Sequence, residues 1–434
     1  MGTEVSIGED RLASHPLRAA VLGEVHARPF TAIATPRRVL HFAFGTSPKQ
    51  AEADRTALAT FCAGRGLAAP PAGGKHHRVT YGETALRWEQ HSEFTTYTWE
   101  LAGTAAPFDP PAAAAAAPMG LVPQPGPVIV AIDLHLMADP ESRVAPERLF
   151  DRASLAAAEN SDGTALYATD FQADPAGFVR ILVVDRGLGP ERAGALIQRG
   201  LEVETYRTLA LLGLPEAQRL APAVGRIETR LAEVTEAMQQ SEGLAANHRL
   251  LDELTALAAE LEAGAAASQF RFGASRAYDE IVKLRLATIG ERKVGGLPTW
   301  SSFLARRMAP AMRTCAALEE RQANLSRKLA RAAQLLRTRV DLELEAQNRD
   351  LLTSMNERTR LQLRLQATVE GLSVAAISYY VVGLFGYVVK GAHDRGAPVE
   401  PSVATAVFVP VAVLAIWWVV RRIRRAHLGS GSKG

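Results

Sequence analysis

Residues 361–389 of the chain, LQLRLQATVEGLSVAAISYYVVGLFGYVV, pass from a polar helical pattern into an uncharged run without a break. No glycine lies between Leu297 and Glu370, and no proline lies between Pro310 and Pro398, so the usual helix breakers are missing. At 1.5 Å per residue, a helix from residue 311 to 370 would be about 90 Å long. A helix of that length is too long to be buried inside one globular domain. We therefore predict a long stalk helix over residues 311–371.

An apolar stripe follows this polar stretch, with steps that are mostly three, four and seven residues. Such spacing is typical of a helix that packs against other helices. Gln347, Arg358 and Gln362 interrupt the stripe, so the predicted coiled coil is not ideal. The stalk stripe consists of Leu318, Leu325, Leu329, Ala332, Leu336, Val340, Leu344, Leu351, Met355, Leu365, Val369 and Leu372.

The stalk leads into the first of two uncharged runs, residues 372–389 and 403–420. Each run would be about 27 Å long as a helix, close to the roughly 30 Å of bilayer hydrocarbon. We predict a transmembrane hairpin over 372–420 and a basic tail over 421–434, with the lipid bilayer as partner. Membrane-interface residues follow at the end of the second run: Trp417, Trp418, Arg421, Arg422, Arg424 and Arg425.

The arginine cluster places the tail in the cytoplasm by the positive-inside rule. Two crossings then place both termini of this multi-pass chain in the cytoplasm. An alanine- and arginine-rich composition suggests a bacterial source, which makes the inner (plasma) membrane the expected location.

Small residues cluster on the first run and leave two interpretations open. Close helix packing is the favoured one, because small residues let helices approach in a membrane. The other is a pore whose outer mouth is lined by Gly383, Gly386 and Tyr387, with Asp394 and Glu400 attracting cations in the outer loop. Neither run contains an acidic or basic group, which argues against an active pump.

Composition excludes several functions. The net charge is only +3, and no basic patch with interleaved aromatic residues is present, so we expect no nucleic-acid partner. Cys62 and Cys315 match no zinc or redox spacing. No nucleotide loop, nucleophile–base pair or metal-ligand cluster stands out. We therefore predict no enzyme activity, no cofactor and no metal site.

The N-terminal motif HPLRAAVLGEVHARPF, residues 15–30, is dense in polar groups. They could form a metal or anion site, but the favoured interpretation is that they tie the segment to its domain through hydrogen bonds and ion pairs. The cluster consists of His15, Arg18, Glu24, His26 and Arg28.

This motif resembles the opening motif of a bacterial family of predicted membrane-anchored proteins of unknown function. The segment VEGLSVAAISYYVVGLFGYVVKG, residues 369–391, is similar to the first membrane span of the same family. The resemblance implies membrane anchoring and supplies no activity.

Residues 1–190 read as an α+β domain, because strand patterns cluster there with few helices between them. Residues 105–127 form a Pro- and Ala-rich insertion, and Leu155–Glu159 is predicted as a helical turn. Asp133 and His135 fall on one face of a central strand. The predicted strands cover residues 37–44, 76–81, 85–90, 93–101, 128–137, 165–171 and 178–184.

Residues 191–310 read as a helical bundle. The pattern predicts helices over 191–212, 226–240, 247–262 and 268–288, separated by breaks at Pro222 with Gly225, at Gly243 and at Gly264.

The order of a sheet domain, a helical bundle, a long helix and two spans is similar to the CorA-type magnesium transporters. In that family five copies place the first span around a pore, and Gly-Met-Asn selects the ion at its outer end. Here the sequence reads Gly386-Tyr387-Val388, so only the glycine matches. This departure puts selection of a hydrated divalent cation in doubt.

Two hypotheses follow. In the first, the chain is an oligomeric cation channel or transporter of CorA-like layout, a homo-oligomer that would be a pentamer. In the second, the hairpin is only an anchor, and the cytoplasmic domain of this scaffold or sensor binds a partner. A continuous axial pore would favour the first hypothesis, and packed spans in a monomer or dimer would favour the second.

Overall fold

The structure is a computed structural model that describes residues 15–18, 21–22, 30–104, 106–115, 117–138, 145–396 and 398–429. The chain divides into two compact units. The first consists of Met1–Glu236 with Glu253–Ala332, and the second of Ala237–Asp252 with Ala333–Gly434.

The first unit is built on a mixed sheet that has nine strands within the described residues, in the order β2-β3-β4-β1-β5-β8-β7-β6-β9. All neighbouring strands are antiparallel except β5 and β8, which are parallel. The strands are β1 Arg37–Gly45, β2 His76–Tyr81, β3 Thr84–Gln90, β4 Phe94–Ala102, β5 Val128–Ala138, β6 Ala156–Glu159, β7 Ala165–Thr169, β8 Val179–Asp185 and β9 Arg292–Lys293.

The helices follow the same order along the chain. They are α1 Pro48–Ala63, α2 Ala112–Ala115, α3 Pro190–Leu211, α4 Gly213–Gln240, α5 Leu244–Ile289, α6 Trp300–His393 and α7 Pro401–Gly429. Two short 3-10 helices, Ala117–Leu121 and Pro146–Arg148, complete the elements.

The two faces of the sheet are covered by different helices. Strand side chains alternate between faces, so Leu40 and Phe42 point to α1 while Val39 and Ala43 point to α3. The α1 face is aromatic, with Trp88, Tyr97 and Trp99 fully buried beside Leu58, Phe61 and Cys62 of α1. The α3 face is aliphatic in its centre, where β5 and β8 pack on Leu196, Ile197 and Leu201.

The predicted sheet domain is confirmed, and one local prediction is wrong. Residues Leu155–Glu159 were expected to form a helical turn, but Ala156–Glu159 is strand β6. This alanine-rich segment has little strand preference of its own. Pairing with β7 on one side and β9 on the other outweighs that preference.

Two predicted helix breaks do not exist. Helix α4 continues through Pro222 and Gly225, and helix α5 continues through Gly264 as one helix of 46 residues. In α4 a regular stripe of buried residues crosses the expected break: Ala217, Leu220, Val224, Ile227, Leu231 and Val234. Burial of this stripe stabilises the helix enough to outweigh the poor helix propensity of Pro222.

Helix α6 contains the predicted stalk and the first uncharged run in one helix of 94 residues. The stalk stripe is buried from Leu318 to Val340, and its later members are exposed: Leu344, Leu351, Met355, Leu365, Val369 and Leu372. The exposed stretch from residue 341 to 369 is about 42 Å of helix. No described part of the chain packs over the apolar side chains of this stretch.

Two helices are long and apolar enough to cross a membrane, Trp300–His393 and Pro401–Arg422. Only 11% and 6% of their most apolar windows are buried inside the structure. The core helix of a soluble protein would be mostly buried, so the exposure of these windows favours a membrane anchor. The two runs contact each other through stacked rings of Phe385 and Phe408, whose centroids are 3.8 Å apart.

Candidate functional site

A cavity of about 210 Å³ opens in the first unit between the sheet and helices α3 and α5. We call it the α3 cavity. Its lining combines charged, polar and aromatic side chains: Phe30, His41, Arg87, Glu89, His91, Phe94, Thr96, Gln198, Arg199, Leu201, Glu202, Thr205, Tyr206, Arg285 and Thr288. Pockets with a few converging polar groups are where small molecules usually bind.

The floor of the α3 cavity is formed by three neighbouring strands. Cross-strand pairing brings Thr96 of β4 opposite Glu89 of β3, and places Thr98 of β4 between Arg87 and His41. Residues two apart on a strand share a face, so these polar groups all point toward α3. The sheet therefore positions the floor with backbone hydrogen bonds rather than with loops.

The wall of the α3 cavity is one face of helix α3. Gln198, Leu201, Glu202 and Thr205 recur at three- and four-residue steps, so they lie on the same side of the helix. Each member other than Leu201 carries a polar group, which makes this part of α3 unlike the aliphatic part over β5. Thr288 and Arg285 of α5 complete the opening.

A hydrogen-bonded chain links the floor to the opening. Arg87 donates from Nη1 to Oε1 of Gln198 at 2.9 Å, and Gln198 donates from Nε2 to Oε1 of Glu202 at 3.0 Å. Arg285 donates to the other carboxylate oxygen of Glu202. Arg199 lies over the ring of Phe30, 5.1 Å from its centroid. Glu202 is thus neutralised by Arg285 and held in place from both sides.

Two buried polar atoms at the α3 cavity have no hydrogen-bond partner among the described residues. They are Oγ1 of Thr96, whose residue is 2% exposed, and Nε of Arg87. The nearest carboxylate oxygen to that Nε belongs to Glu89 and is 3.7 Å away, which is longer than a hydrogen bond. Buried polar groups are nearly always satisfied, so unpaired ones beside a cavity point to a missing ligand or water.

His41 lies on the floor as a neutral ring. Its two ring nitrogens lie 2.8 Å from Oγ1 of Thr98 and 3.1 Å from Oγ1 of Thr205. Burial, with smaller contributions from the charges of Arg87 and His91, lowers the pKa of His41 to about 3. The imidazole therefore adds no positive charge to the α3 cavity at neutral pH.

A second polar cluster, on the α1 face, is held by hydrogen bonds and a buried ion pair within the fold. Arg38 donates from Nε and Nη2 to the two oxygens of Asp133 at 2.8 and 2.7 Å. Its Nη1 donates to the carbonyl of Pro110 at 2.7 Å, and Nε2 of His135 lies 3.3 Å from both Oδ1 of Asp133 and the backbone nitrogen of Phe108. Burial opposes the charge of Asp133, but hydrogen bonds from His135 and Arg38 keep its pKa below the usual range.

Among the described residues of the N-terminal motif, Phe30 at its end lines the α3 cavity. Glu24, His26 and Arg28 lie outside the described residues, and His15 and Arg18 are exposed. Phe30 lines the cavity, and the chain then runs along α3, where the amide of Ile33 donates to the carbonyl of Pro190 at 2.9 Å. A Cβ on Gly194 would overlap the carbonyl of Thr31, so only glycine permits this close approach.

The predicted pore residues share one face of the first run but differ in what surrounds them. A side chain at Gly386 would meet Thr405 of α7 at 3.8 Å, whereas Gly383 has no neighbour within 4 Å. Tyr387 is 78% exposed. Asp394 and Glu400 are exposed beside the turn between α6 and α7.

The interface residues at the end of the second run pair along the helix. Arg421 lies over the Trp417 ring at 4.8 Å and Arg422 over the Trp418 ring at 5.3 Å. Arg424 and Arg425 belong to α7, and their side chains lie outside the described part. Such pairs are suited to the boundary between lipid and water.

No group of three or more His, Cys, Asp or Glu side chains that could hold a metal occurs among the described residues. Sequence reasoning missed the α3 cavity, whose residues span 30 to 288 without a fixed spacing. The sequence did contain one signal. Arg87 and Glu89 stand at alternate positions of one predicted strand, and Thr96 and Thr98 stand at alternate positions of the next. Charged residues at alternate positions of an internal strand point to a polar surface where a core is expected.

Comparison with known proteins identifies the family and leaves the activity open. The family model described as "Protein of unknown function (DUF3422)" matches residues 13–427, nearly the whole chain. No curated protein and no solved structure matches the chain significantly. The expected resemblance to a family of unknown function is therefore confirmed, and the chain belongs to the DUF3422 family.

Proposed function

We propose that the protein is a non-transporting, membrane-anchored sensor whose sheet domain binds a small molecule in the α3 cavity. The hairpin of α6 and α7 anchors the chain in the bacterial inner membrane, with both termini in the cytoplasm. The observation that carries the proposal is the pair of unpaired buried atoms, Thr96 Oγ1 and Arg87 Nε, at an open cavity.

Energetics favour a ligand over a structural role for these groups. Leaving a buried polar group unpaired costs about 1–3 kcal/mol. The α1 face of the same sheet pairs comparable groups, such as Arg38 with Asp133. Nε1 of Trp99 on the α1 face carries the same cost, but Arg87 and Thr96 line the α3 cavity and Trp99 does not. We therefore expect a bound ligand to recover the cost at these two atoms.

The spans support an anchor rather than a pump. Residues 372–389 and 403–420 contain no charged side chain, and coupled transport usually requires an ionisable group within the membrane. Gly386 faces α7, which matches close packing through small residues. The exposed end of the stalk stripe, from Leu344 to Val369, supports a homo-oligomer in which copies cover this stripe for one another.

A thermal-unfolding screen of the full-length protein in detergent tests the binding function. A ligand at 100 times its Kd adds about 2.7 kcal/mol to the folded state, so at least one compound of a small-metabolite library should raise the Tm measurably. The Arg87→Gln variant should lose that rise. A library that leaves the wild-type Tm unchanged throughout contradicts the proposal.

A second candidate, an oligomeric cation channel with CorA-like layout, rests on a separate observation. Helix α6 continues unbroken from the first unit into the first uncharged run, which is the element order of that family. In this case Gly383, Gly386 and Tyr387 would line the outer mouth, and Asp394 and Glu400 would attract a divalent cation.

Magnesium flux into proteoliposomes, measured beside the mass of the detergent-solubilised particle, separates the two candidates. A pentamer that conducts and is blocked by Gly383→Trp supports the channel, because Gly383 faces open space and tolerates the bulk without disturbing the hairpin. A monomer or dimer without flux supports the sensor.

A further inference from the structure

We propose that the ligand of the α3 cavity is a small monocarboxylate whose carboxylate binds between Arg87 and Thr96. This inference rests on the proposed function and adds the chemical class of the ligand. It follows from the charge balance of the lining, the geometry of the two unpaired atoms and the size of the α3 cavity.

Among the described residues that line the α3 cavity, arginines exceed carboxylates by one. Arg87, Arg199 and Arg285 face two carboxylates, those of Glu89 and Glu202, and His41 is neutral. An empty cavity with a surplus cation attracts a ligand that carries one negative charge. A phosphate with two charges would be only half neutralised.

Glu89 lies beside Arg87 and Glu202 pairs with Arg285, so the arginine in excess is Arg199, over the ring of Phe30. The unpaired guanidinium donor belongs to Arg87. Nη1 of Arg87 donates a hydrogen bond to Gln198, while its Nε–H has no acceptor among the described residues. The Nε side of a guanidinium forms a planar fork that matches the two oxygens of a carboxylate. Glu89 does not fill this role, because its oxygen stays 3.7 Å from Nε.

Thr96 supplies a second donor on the same floor. Its hydroxyl is buried on β4 one strand away from Arg87, and it makes no hydrogen bond within the described chain. A carboxylate oxygen is an acceptor only, so it satisfies a hydroxyl donor without needing a further partner. A ligand carboxylate has two acceptor oxygens, one for each of these two donors.

The size and walls restrict the rest of the molecule. A volume of about 210 Å³ lies below the roughly 300–1,000 Å³ of sites for drug-sized ligands, so the ligand is a small metabolite. Phe30, Phe94, Leu201 and Tyr206 give the α3 cavity apolar surface beside its charged groups. A carboxylate with a short apolar or aromatic body fits both parts.

Calorimetric titration of the full-length protein in detergent tests the ligand class with three probes: benzoate, its neutral counterpart benzamide, and inorganic phosphate. We expect benzoate to bind at least about ten-fold more tightly than benzamide, because a hydrogen bond to a charged group is worth ~1.5–3 kcal/mol. Arg87→Gln should weaken benzoate binding by a similar factor.

Thr96→Val is the second variant, and it keeps the shape of the side chain. It should weaken benzoate binding about three- to ten-fold, as loss of one hydrogen bond does. Thr95→Val is its matched control, because Thr95 is the neighbouring buried residue of β4, faces α1 and bonds Thr46 at 3.1 Å. Benzoate binding should be unchanged in Thr95→Val.

The outcomes separate this inference from the function on which it rests. Equal binding of benzoate and benzamide, or binding of phosphate alone, overturns the carboxylate and leaves a binding function standing. Benzoate binding that is the same in wild type and Thr96→Val overturns the placement. Absence of binding by every probe overturns the ligand class, and the library screen then decides whether the binding function also fails.

Discussion

The two faces of the central sheet treat buried polar groups in opposite ways. On the α1 face, Asp54 accepts from Trp88 Nε1 at 2.7 Å and from Tyr97 Oη at 2.6 Å, and Arg38 grips Asp133 with two bonds. On the α3 face, Arg87 and Thr96 keep unpaired atoms beside an open cavity. Nε1 of Trp99 is the exception on the α1 face.

This difference separates stability from function within one domain. Paired groups on the α1 face fix the sheet, α1 and the loop around Pro110 in a single arrangement. Burial raises the pKa of Asp54 even though both donors oppose that shift, which shows how closely the α1 face is packed. On the α3 face the two unpaired atoms lower the stability of the fold. In the proposed function this is the face that binds the ligand.

The largest expected effect comes from breaking the paired face. Asp133→Ala leaves the buried guanidinium of Arg38 without its partner and should lower the free energy of unfolding by about 3–5 kcal/mol. Denaturant unfolding of the full-length protein, followed by fluorescence of the buried Trp88 and Trp99, measures the loss. Glu345→Ala, which breaks the exposed pair with Arg349, is the control and should change stability little.

Gly194→Ala tests the close approach of the chain to helix α3. The added methyl group would overlap the carbonyl of Thr31, and we expect a loss of about 1–3 kcal/mol, as for other overpacked sites. Gly225→Ala is the matched control, because that position in α4 has open space around it. It should stabilise the protein by about 0.5–1 kcal/mol, so a loss in both variants would contradict the account.

The pH dependence of stability sharpens the description of the α3 face. The unfolded chain protonates His41 near its ordinary pKa of 6.5, whereas the folded chain does so only near 3. Between pH 6.5 and pH 3, the unfolded state binds a proton at His41 that the folded state does not bind. The free energy of unfolding therefore decreases as the pH falls through this range. The contribution of His41 is at most about 1.4 kcal/mol per pH unit.

His41→Asn removes this proton and isolates its contribution. The stability of the wild type relative to the variant should decline between pH 6 and pH 4, measured by denaturant unfolding at each pH. A constant difference across that range would mean that His41 titrates normally in the folded protein.

The smallest effect concerns Thr96 in the absence of ligand. Thr96→Val removes an unpaired hydroxyl, so the ligand-free protein should be as stable as the wild type or slightly more stable. Thr95→Val loses its bond to Thr46 and should cost about 1 kcal/mol. A loss from Thr96→Val as large as that from Thr95→Val would show that Thr96 is satisfied after all.

Local patterns in the sequence predict most of the secondary structure. Strand and helix periods place β1 to β5 and α3 within one or two residues of their observed bounds, because each has a clear alternation or a helical stripe. Segment Ala156–Glu159 fails because its partners β7 and β9 decide its conformation. Helix α5 passes through Gly264, which packs beside Leu220 of α4, so contacts between helices outweigh the low helix propensity of this glycine.

The α3 cavity could not be predicted in the same way. Thr96, Gln198 and Arg285 meet only after strand pairing and helix packing bring together residues far apart in the chain. Residues that come together in this way have no characteristic spacing in the sequence. The hairpin is the opposite case, because hydropathy is a local property and residues 372–389 and 403–420 show it directly.

The location of a bound ligand tests the central claim most directly. A structure of the full-length protein, determined with a saturating compound that raises its Tm, should show the compound in the α3 cavity with an oxygen about 3 Å from Arg87 Nε and from Thr96 Oγ1. A compound bound elsewhere, with the two atoms still unpaired or bridged only by water, would contradict the assignment of the α3 face to ligand binding.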